Sequence, residues 1–181
     1  MTNAQKLIFN LRAAVGLLVI LTLLLGGVYP LKVAVVAKVF PNKSEILIGH
    51  NFSENKYFWG RLSANNYDAT NSGGTNYSPA NPKLLAAANA RILQLQQADP
   101  KNKAKIPVEL ITASASGLDP HISVSAAEYQ IGRVAKARNM NEADVQTIIS
   151  QNIDWQSKLF ASPYVNVLEL NQALDRLGGA K

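Results

Sequence analysis

The sequence predicts an α+β protein: one N-terminal transmembrane helix, then a helix-dominated soluble domain with a few short strands. Three observations predict it. Residues 13–31, AAVGLLVILTLLLGGVYPL, carry no charge between Arg12 and Lys32. Apolar residues recur at helical spacing in several later stretches. Between those stretches lie only short β-rich runs, bounded by Pro, Gly, Asn and Ser.

Along the chain, the first element is the apolar run. As a helix it spans roughly 28 Å, against a hydrocarbon core of about 30 Å. It reads as a membrane anchor over 13–40, after a short tail at 1–12, with Pro41 ending it. A cleaved signal peptide is the alternative: Lys6 and Arg12 form a basic start, Leu17–Leu25 an apolar centre, and Val35-Val36-Ala37 a passable cleavage site. The length of the apolar stretch, and the wide gap between its centre and that site, favour the anchor. Lys6 and Arg12 on one side face Lys32, Lys38 and Lys43 on the other, so charge barely discriminates orientation. Gly26 and Gly27 are candidates for close helix packing in the membrane, or simply the glycines common in such helices.

Residues 41–181 form the second unit. Ile46–Ile48 and Tyr57–Trp59 are strand candidates. Tyr57, Phe58 and Trp59 are adjacent, so one side of a strand would enter the core and the other could form a contact surface. Arg61 beside them either pairs with a partner or stacks on Trp59. Residues 63–82 are crowded with Asn, Ser, Gly, Pro and Tyr, and a loop of that length is functional or disordered. Within it Ser72, Gly73, Gly74 and Asn76 could cradle an anion, although no Gly-Lys-Ser/Thr ending makes a P-loop.

Asn81 caps a helix that opens with Pro82, turns Leu84, Leu85, Ala88, Ile92 and Leu95 inward, and stops at Asp99-Pro100. Lys101, Lys103 and Lys105 read as a solvated loop. IPVELIT at 106–112 reads as a strand. Ser114, Ser116, Asp119 and His121 bring triad residue types together, but a nucleophile elbow needs Gly-x-Ser-x-Gly, and a turn with local serine bonds is the simpler account. A second helix starts at Ser125, whose spacing to Glu128 suits a capping box, with Arg133, Lys136 and Arg138 on its more exposed side. A third follows Asn141, with Val145, Ile148, Ile149 and Ile153 inward. Val165–Leu168 is a short strand or the lead into a last helix, which runs to about Leu177 and ends at Gly178-Gly179.

Composition excludes several classes. The chain has 181 residues with 18 Lys and Arg against 12 Asp and Glu. Residues 1–40 hold Lys6, Arg12, Lys32 and Lys38 and no acid, so the rest is nearly balanced. No basic stripe marks the soluble part, which argues against nucleic acid as a partner. The absence of Cys excludes a disulfide scaffold and Cys-ligated metals, and two His argue against a multi-His metal site.

Several short motifs stand in a specific order. Gly27-Val28-Tyr29-Pro30 closes the membrane run. Tyr57-Phe58-Trp59-Gly60-Arg61 precedes Ser63-Ala64, and Ser72-Gly73-Gly74-Thr75-Asn76 leads to Asn81-Pro82. Val108–Thr112 leads into Ala113-Ser114-Ala115-Ser116-Gly117-Leu118-Asp119-Pro120-His121-Ile122-Ser123, and Val165–Asn171 closes the chain. In this order the chain resembles the C subunit of Kdp-type potassium-transporting ATPases. It departs at Leu62 and Ala115, where that family often has Pro and Gly.

The resemblance implies a single-pass protein of the bacterial inner membrane, N-terminus inside, with 41–181 an extracytoplasmic domain. It implies two protein partners, a channel-like potassium-translocating subunit and a P-type subunit that hydrolyses ATP, besides the lipid bilayer. It implies an accessory role that stabilises the complex, and a catalytic-chaperone role in ATP binding. No catalytic residue, metal or cofactor is assigned to this chain; ATP is met through the partner subunit. The family's ATP contact through a Ser-Gly-Gly segment would fall on Ser72, Gly73 and Gly74, but an outside domain cannot touch cytoplasmic ATP. Two other readings of the residues stand beside it: a membrane-anchored hydrolase using Ser114 or Ser116 with His121, and an extracellular ligand-binding module presenting the Tyr-, Trp- and Asn-rich loops.

Overall fold

The computed structural model describes residues 2–39, 44–154 and 162–178. The chain divides into two units, Met1–Lys43 and Ser44–Lys181.

The first unit is helical from Asn3 to Lys38. Helix α1 (Asn3–Leu23) starts on a capping box in which Thr2 and Gln5 exchange side-chain bonds. It therefore takes in most of the residues read as a tail. A wider π-helical turn over Leu24–Val28 precedes α2 (Tyr29–Val39). The π turn sits just before Pro30, whose ring excludes the carbonyl four residues back. Pro41, the expected stop, lies outside the described residues.

The second unit is α+β, as the sequence predicts. Its sheet has the order β1-β3-β2, from β1 (His121–Ser123), β2 (Ile153–Asp154) and β3 (Tyr164–Asn166). Both pairings are antiparallel and set Ile122 and Ile153 opposite Val165. Around it lie α3 (Pro82–Ala98), α4 (Val124–Glu128), α5 (Ile131–Arg138), α6 (Glu142–Gln151) and α7 (Val167–Gly178). The core gathers Phe58, Trp59, Leu95, Leu110, Ile122, Ala126, Val134, Ile149, Val165, Leu170 and Leu174 from these helices, β1, β3 and the segments between, with Ile153 of β2 packed against it.

Capping accounts for most of the boundaries. Asn81 accepts the Lys83 N–H ahead of Pro82 and opens α3 as expected. Asn166 ends β3 and caps α7 through the Leu168 and Glu169 N–H groups. Asn139, at φ 59°, ends α5 in a left-handed turn, with Met140 N–H returning to the Ala135 carbonyl. The α4 cap is Ser123, not Ser125: Ser123 Oγ accepts the Ala126 N–H at 3.1 Å, and Glu109 in turn accepts the Ser123 N–H and hydroxyl.

Three expected strands are absent. Ser44–Leu47 is a 3₁₀ turn, and so is Val108–Leu110, where the Pro107 carbonyl accepts the Leu110 N–H and curls the segment. An isolated parallel bridge joins Leu62 to Ala113, just past the expected strand at 106–112. Ile153 leaves α6 after the Asn152 cap and joins β2 instead.

Residues 57–59 form no strand: the Tyr57 N–H closes a turn on the Glu54 carbonyl, and Phe58 and Trp59 follow in irregular backbone. Side chains replace the missing neighbours. Asn171 exchanges both amide bonds with the Phe58 peptide, at 2.8 and 3.0 Å, and Gln130 does the same for Trp59. Arg133 donates to the Asn55 and Tyr57 carbonyls, Arg138 to Lys56, Arg91 to Gly60, and the Tyr67 hydroxyl to Arg61. Each carbonyl from Asn55 to Arg61 is thereby satisfied by a side chain. This explains two reversals. Arg91 lies on the inner face of α3 and is buried, while Leu85 is 65% exposed; and Arg133 is 4% exposed, not on the solvent side of α5. Their guanidinium groups bracket the Trp59 ring at 5.0 and 4.0 Å. Burial pushes the Arg133 pKa down to about 10, with the nearby Arg91 charge adding to the effect.

Asn171→Leu keeps the volume but strips both partners from the buried Phe58 peptide. Urea unfolding is expected to show a loss of about 2–4 kcal/mol, with the slope unchanged; a loss below about 0.5 kcal/mol would mean that the peptide finds other partners.

Candidate functional site

The chemistry-bearing residues meet where the Arg61–Ser63 segment, the Asn-rich loop and the 113–121 turn converge. Arg61 follows the buried aromatic segment and so is delivered to the edge of the core. Its Nη1 is 3.2 Å from Asp119 Oδ2 and its Nη2 donates to the Ala113 carbonyl at 3.3 Å. Within its own domain it thus pairs with Asp119, and the Trp59 faces belong to Arg91 and Arg133. The other Asp119 oxygen accepts the His121 N–H at 3.0 Å and stands 3.3 Å from His121 Nδ1. Burial alone would raise the Asp119 carboxyl; the His121 bonds and the Arg61 charge outweigh it and hold the carboxyl below its ordinary value. The His121 ring packs edge-on against Tyr164, at 4.6 Å between centroids.

The Asn-rich loop is docked on the 113–121 turn. Ser63 Oγ donates to the Gly117 carbonyl at 2.7 Å and accepts the Tyr67 N–H. Ser72 Oγ and Gly73 N–H both donate to the Ser116 carbonyl, at 3.0 and 2.9 Å. Gly117 is required here: its φ is +69°, and a Cβ would fall 2.4 Å from Asn65 Oδ1 and 2.6 Å from the Gly73 carbonyl. A Cβ at Gly74 would meet the Ala115 carbonyl at 2.7 Å. Asn76 takes φ 52° and is exposed. Two of the donors that an anion at Ser72–Asn76 would use, Ser72 Oγ and the Gly73 N–H, are therefore engaged within the chain.

Two hollows adjoin this junction. One, of about 330 Å³, is lined by Leu47, Arg61, Ser114, Ser116 and Asp119 among others. A smaller one, of about 130 Å³, lies between His50, Asn51, Arg61, Tyr67 and Arg91. Burial keeps the Tyr67 phenol above its ordinary pKa.

The predicted site residues separate into three sets. Arg61, Ser72, Gly73, Gly74, Ser114, Ser116, Asp119 and His121 come together. Phe58 and Trp59 are 0% and 3% exposed and serve the core, whereas Tyr57 is half-buried, 5.2 Å from Phe52. Gly26 and Gly27 lie in the π-helical turn, in the other unit. A hydrolytic triad is not assembled. Ser114 Oγ is buried without a partner, Ser116 Oγ accepts the Leu118 N–H, and His121 Nδ1 faces Asp119. Among the described residues no group of three or more His, Asp or Glu could hold a metal ion. Sequence reasoning missed Arg91, Gln130, Arg133 and Asn171, which hold the aromatic segment in place. Arg91 had a signal, a cation on an otherwise apolar helical face; the two amides had none.

Comparison with known proteins covers nearly the whole chain. The family model described as "K+-transporting ATPase, c chain" matches residues 11–176. A potassium-transporting ATPase KdpC subunit of Dechloromonas aromatica is 49% identical, over 91% of this chain and 96% of its own length. KdpC subunits of Polynucleobacter asymbioticus and Ralstonia nicotianae are 48% and 47% identical, over 91% and 92% of this chain and 97% and 91% of theirs.

Two measurements probe the junction. Gly117→Ala is expected to release the Asn-rich loop, seen as protease cleavage within residues 64–80 at least tenfold faster than in the parent chain; unchanged cleavage would mean that the turn tolerates the strain. The lowered Asp119 carboxyl contributes stability in full above its unfolded value near 3.8, and this contribution is lost as pH falls through the lower folded value. Asp119→Asn should therefore flatten the acid limb of the stability–pH curve below about pH 4. An unaltered acid limb would remove Asp119 from that account.

Proposed function

The chain belongs to the KdpC family of potassium-transporting ATPase c chains, and on that premise we propose that it is a non-catalytic accessory subunit of an ATP-driven potassium uptake pump. The membership, across residues 11–176, is the observation that carries the reading. One helix long and apolar enough to cross a membrane supports a single-pass anchor. The partners are a channel-like potassium-translocating subunit and a P-type subunit that supplies catalysis. The N-terminus lies inside and the second unit outside the bacterial inner membrane, where that unit caps the potassium entrance. The loop at 65–82 and the turn at 114–121 form its contact surface, with Arg61 and Asp119 as the rigid base beneath them.

Support for ATP turnover then comes from holding the assembly together, not from direct contact with nucleotide. Ser72 and Gly73 spend their donors on Ser116, which favours this version of the chaperone role. The hydrolase alternative loses its physical basis, because a nucleophile must be exposed and hydrogen-bonded to its base. Neither serine meets that requirement with His121.

Two experiments test the reading. A tagged full chain recovered in mild detergent from potassium-starved bacteria is expected to bring down a P-type ATPase and a large channel-like membrane protein. Recovery of the chain alone, folded and expressed, would sink the subunit reading. Because the chain has no Cys, Lys101→Cys gives a single label site. A membrane-impermeant thiol reagent applied from outside the inner membrane is expected to label it. Labelling only after the membrane is broken would reverse the topology and restore direct ATP contact.

A further inference from the structure

We propose that the membrane helix carries an acceptor site for a partner subunit's helix, formed by the backbone carbonyls of Leu25 and Gly26; this rests on the membrane-subunit reading. The partner group is an uncharged side-chain donor, of the Ser, Thr, Asn or Gln kind, on a membrane-spanning helix.

Winding and composition together leave these carbonyls bare. In the π-helical turn the Tyr29 N–H donates five residues back, to the Leu24 carbonyl. The next residue, Pro30, has no N–H to give. The donor after that, Leu31, reaches position 27 at α-helical spacing, and at that spacing no N–H of the helix is left for Leu25 or Gly26. Thr22 is the nearest aliphatic hydroxyl in sequence, but a helical threonine bonds carbonyls three or four residues before it, not after it.

The two glycines keep the carbonyls uncovered. A Cβ at Gly26 or Gly27 would meet nothing within 4 Å, so no packing inside the chain calls for glycine there. Glycine in a helix interior is nonetheless destabilising. What the pair provides is room for another helix to come close to bare backbone.

Depth makes the vacancy consequential. At 1.5 Å per residue, Leu25 and Gly26 lie roughly 20 Å from Arg12 and about 10 Å from Lys32, well inside the uncharged run. Lipid tails donate no hydrogen bonds, so the missing donors come from protein. A neutral donor is assigned because a charged one would itself be costly at that depth. Within their own unit, helix α1, the π turn and the start of α2 have no buried residue.

The test uses the full chain, tagged, co-expressed with the pump subunits and recovered in mild detergent after each variant is shown to reach the membrane fraction. Pro30→Ala returns an N–H to the helix and leaves the glycines in place; Gly26→Leu with Gly27→Leu blocks approach and leaves Pro30 in place. Both are expected to lower partner recovery by roughly three- to thirtyfold, the range of one interhelical hydrogen bond. Gly16→Leu, a similar glycine away from the π turn, is expected to change nothing. Undiminished recovery with Pro30→Ala overturns the acceptor site, even if the leucine pair weakens assembly, since close packing alone would then explain it. Equal loss with Gly16→Leu, or a change in self-association in place of partner recovery, overturns it too. A parent chain recovered without partners overturns the subunit reading itself, and with it the partner named here; parent recovery with Pro30→Ala undiminished overturns the acceptor site alone.

Discussion

An irregular strip of backbone, Asn55 to Arg61, enters the core of the second unit at Phe58 and Trp59 with no strand on either side. Burying peptide groups without partners is among the costliest things a fold can do. Here the partners are side chains drawn from α3, α5, α7 and the turn before α5: Arg91, Gln130, Arg133, Arg138 and Asn171, with Tyr67 at the far end. Everything else arranges itself around that requirement. The helix break at 129–130 places Gln130 beside Trp59, and α7 turns Asn171 toward Phe58. The strip then emerges from the core at Gly60, which sets where Arg61 stands.

From Arg61 onward the second constraint is charge. Arg61, Asp119 and His121 form a short chain of ionic and hydrogen-bonded contacts at the rim of the core. The 113–121 turn is held to that rim, and the Asn-rich loop is held to the turn through Ser63, Ser72 and Gly73. A segment that reads as a flexible polar loop is therefore a fitted layer two contacts removed from the core. An accessory subunit needs such a surface, since a partner that binds a pre-ordered loop does not have to spend affinity on ordering it.

Much of this was legible in the sequence and some was not, for identifiable reasons. The long apolar N-terminal helix, the Asn81-Pro82 start of α3 and the α6 start were readable because each depends on adjacent residues. The strands were not. Ile46–Ile48 and 106–112 have β-forming side chains, but Pro107 and the bond from Asn166 to the Ile46 carbonyl draw them into turns. The Tyr57–Trp59 run reads as a strand and forms none, because its peptide partners are side chains more than seventy positions away. No local pattern encodes such a contact. In the same way, Leu85 looked internal by spacing but is exposed, while Arg91 is drawn inward by the Trp59 ring and the Leu110 and Gly60 carbonyls. The triad residue types at 114–121 were correctly demoted to a turn, while the loop's docking on that turn was invisible because it hangs on backbone carbonyls.

The way the aromatic strip is satisfied also sets the order in which this unit comes into being. Its residues emerge early from the ribosome, but Gln130 lies 71 positions later and Asn171 lies 113 positions later. Until α7 has been made, Phe58 and Trp59 have no means of entering a core with their peptide groups satisfied, so the second unit has no stable half. Contacts of such long sequence separation slow folding. The nascent chain accordingly stays open through nearly its whole synthesis and closes in a late step, when its last helix supplies the final amide.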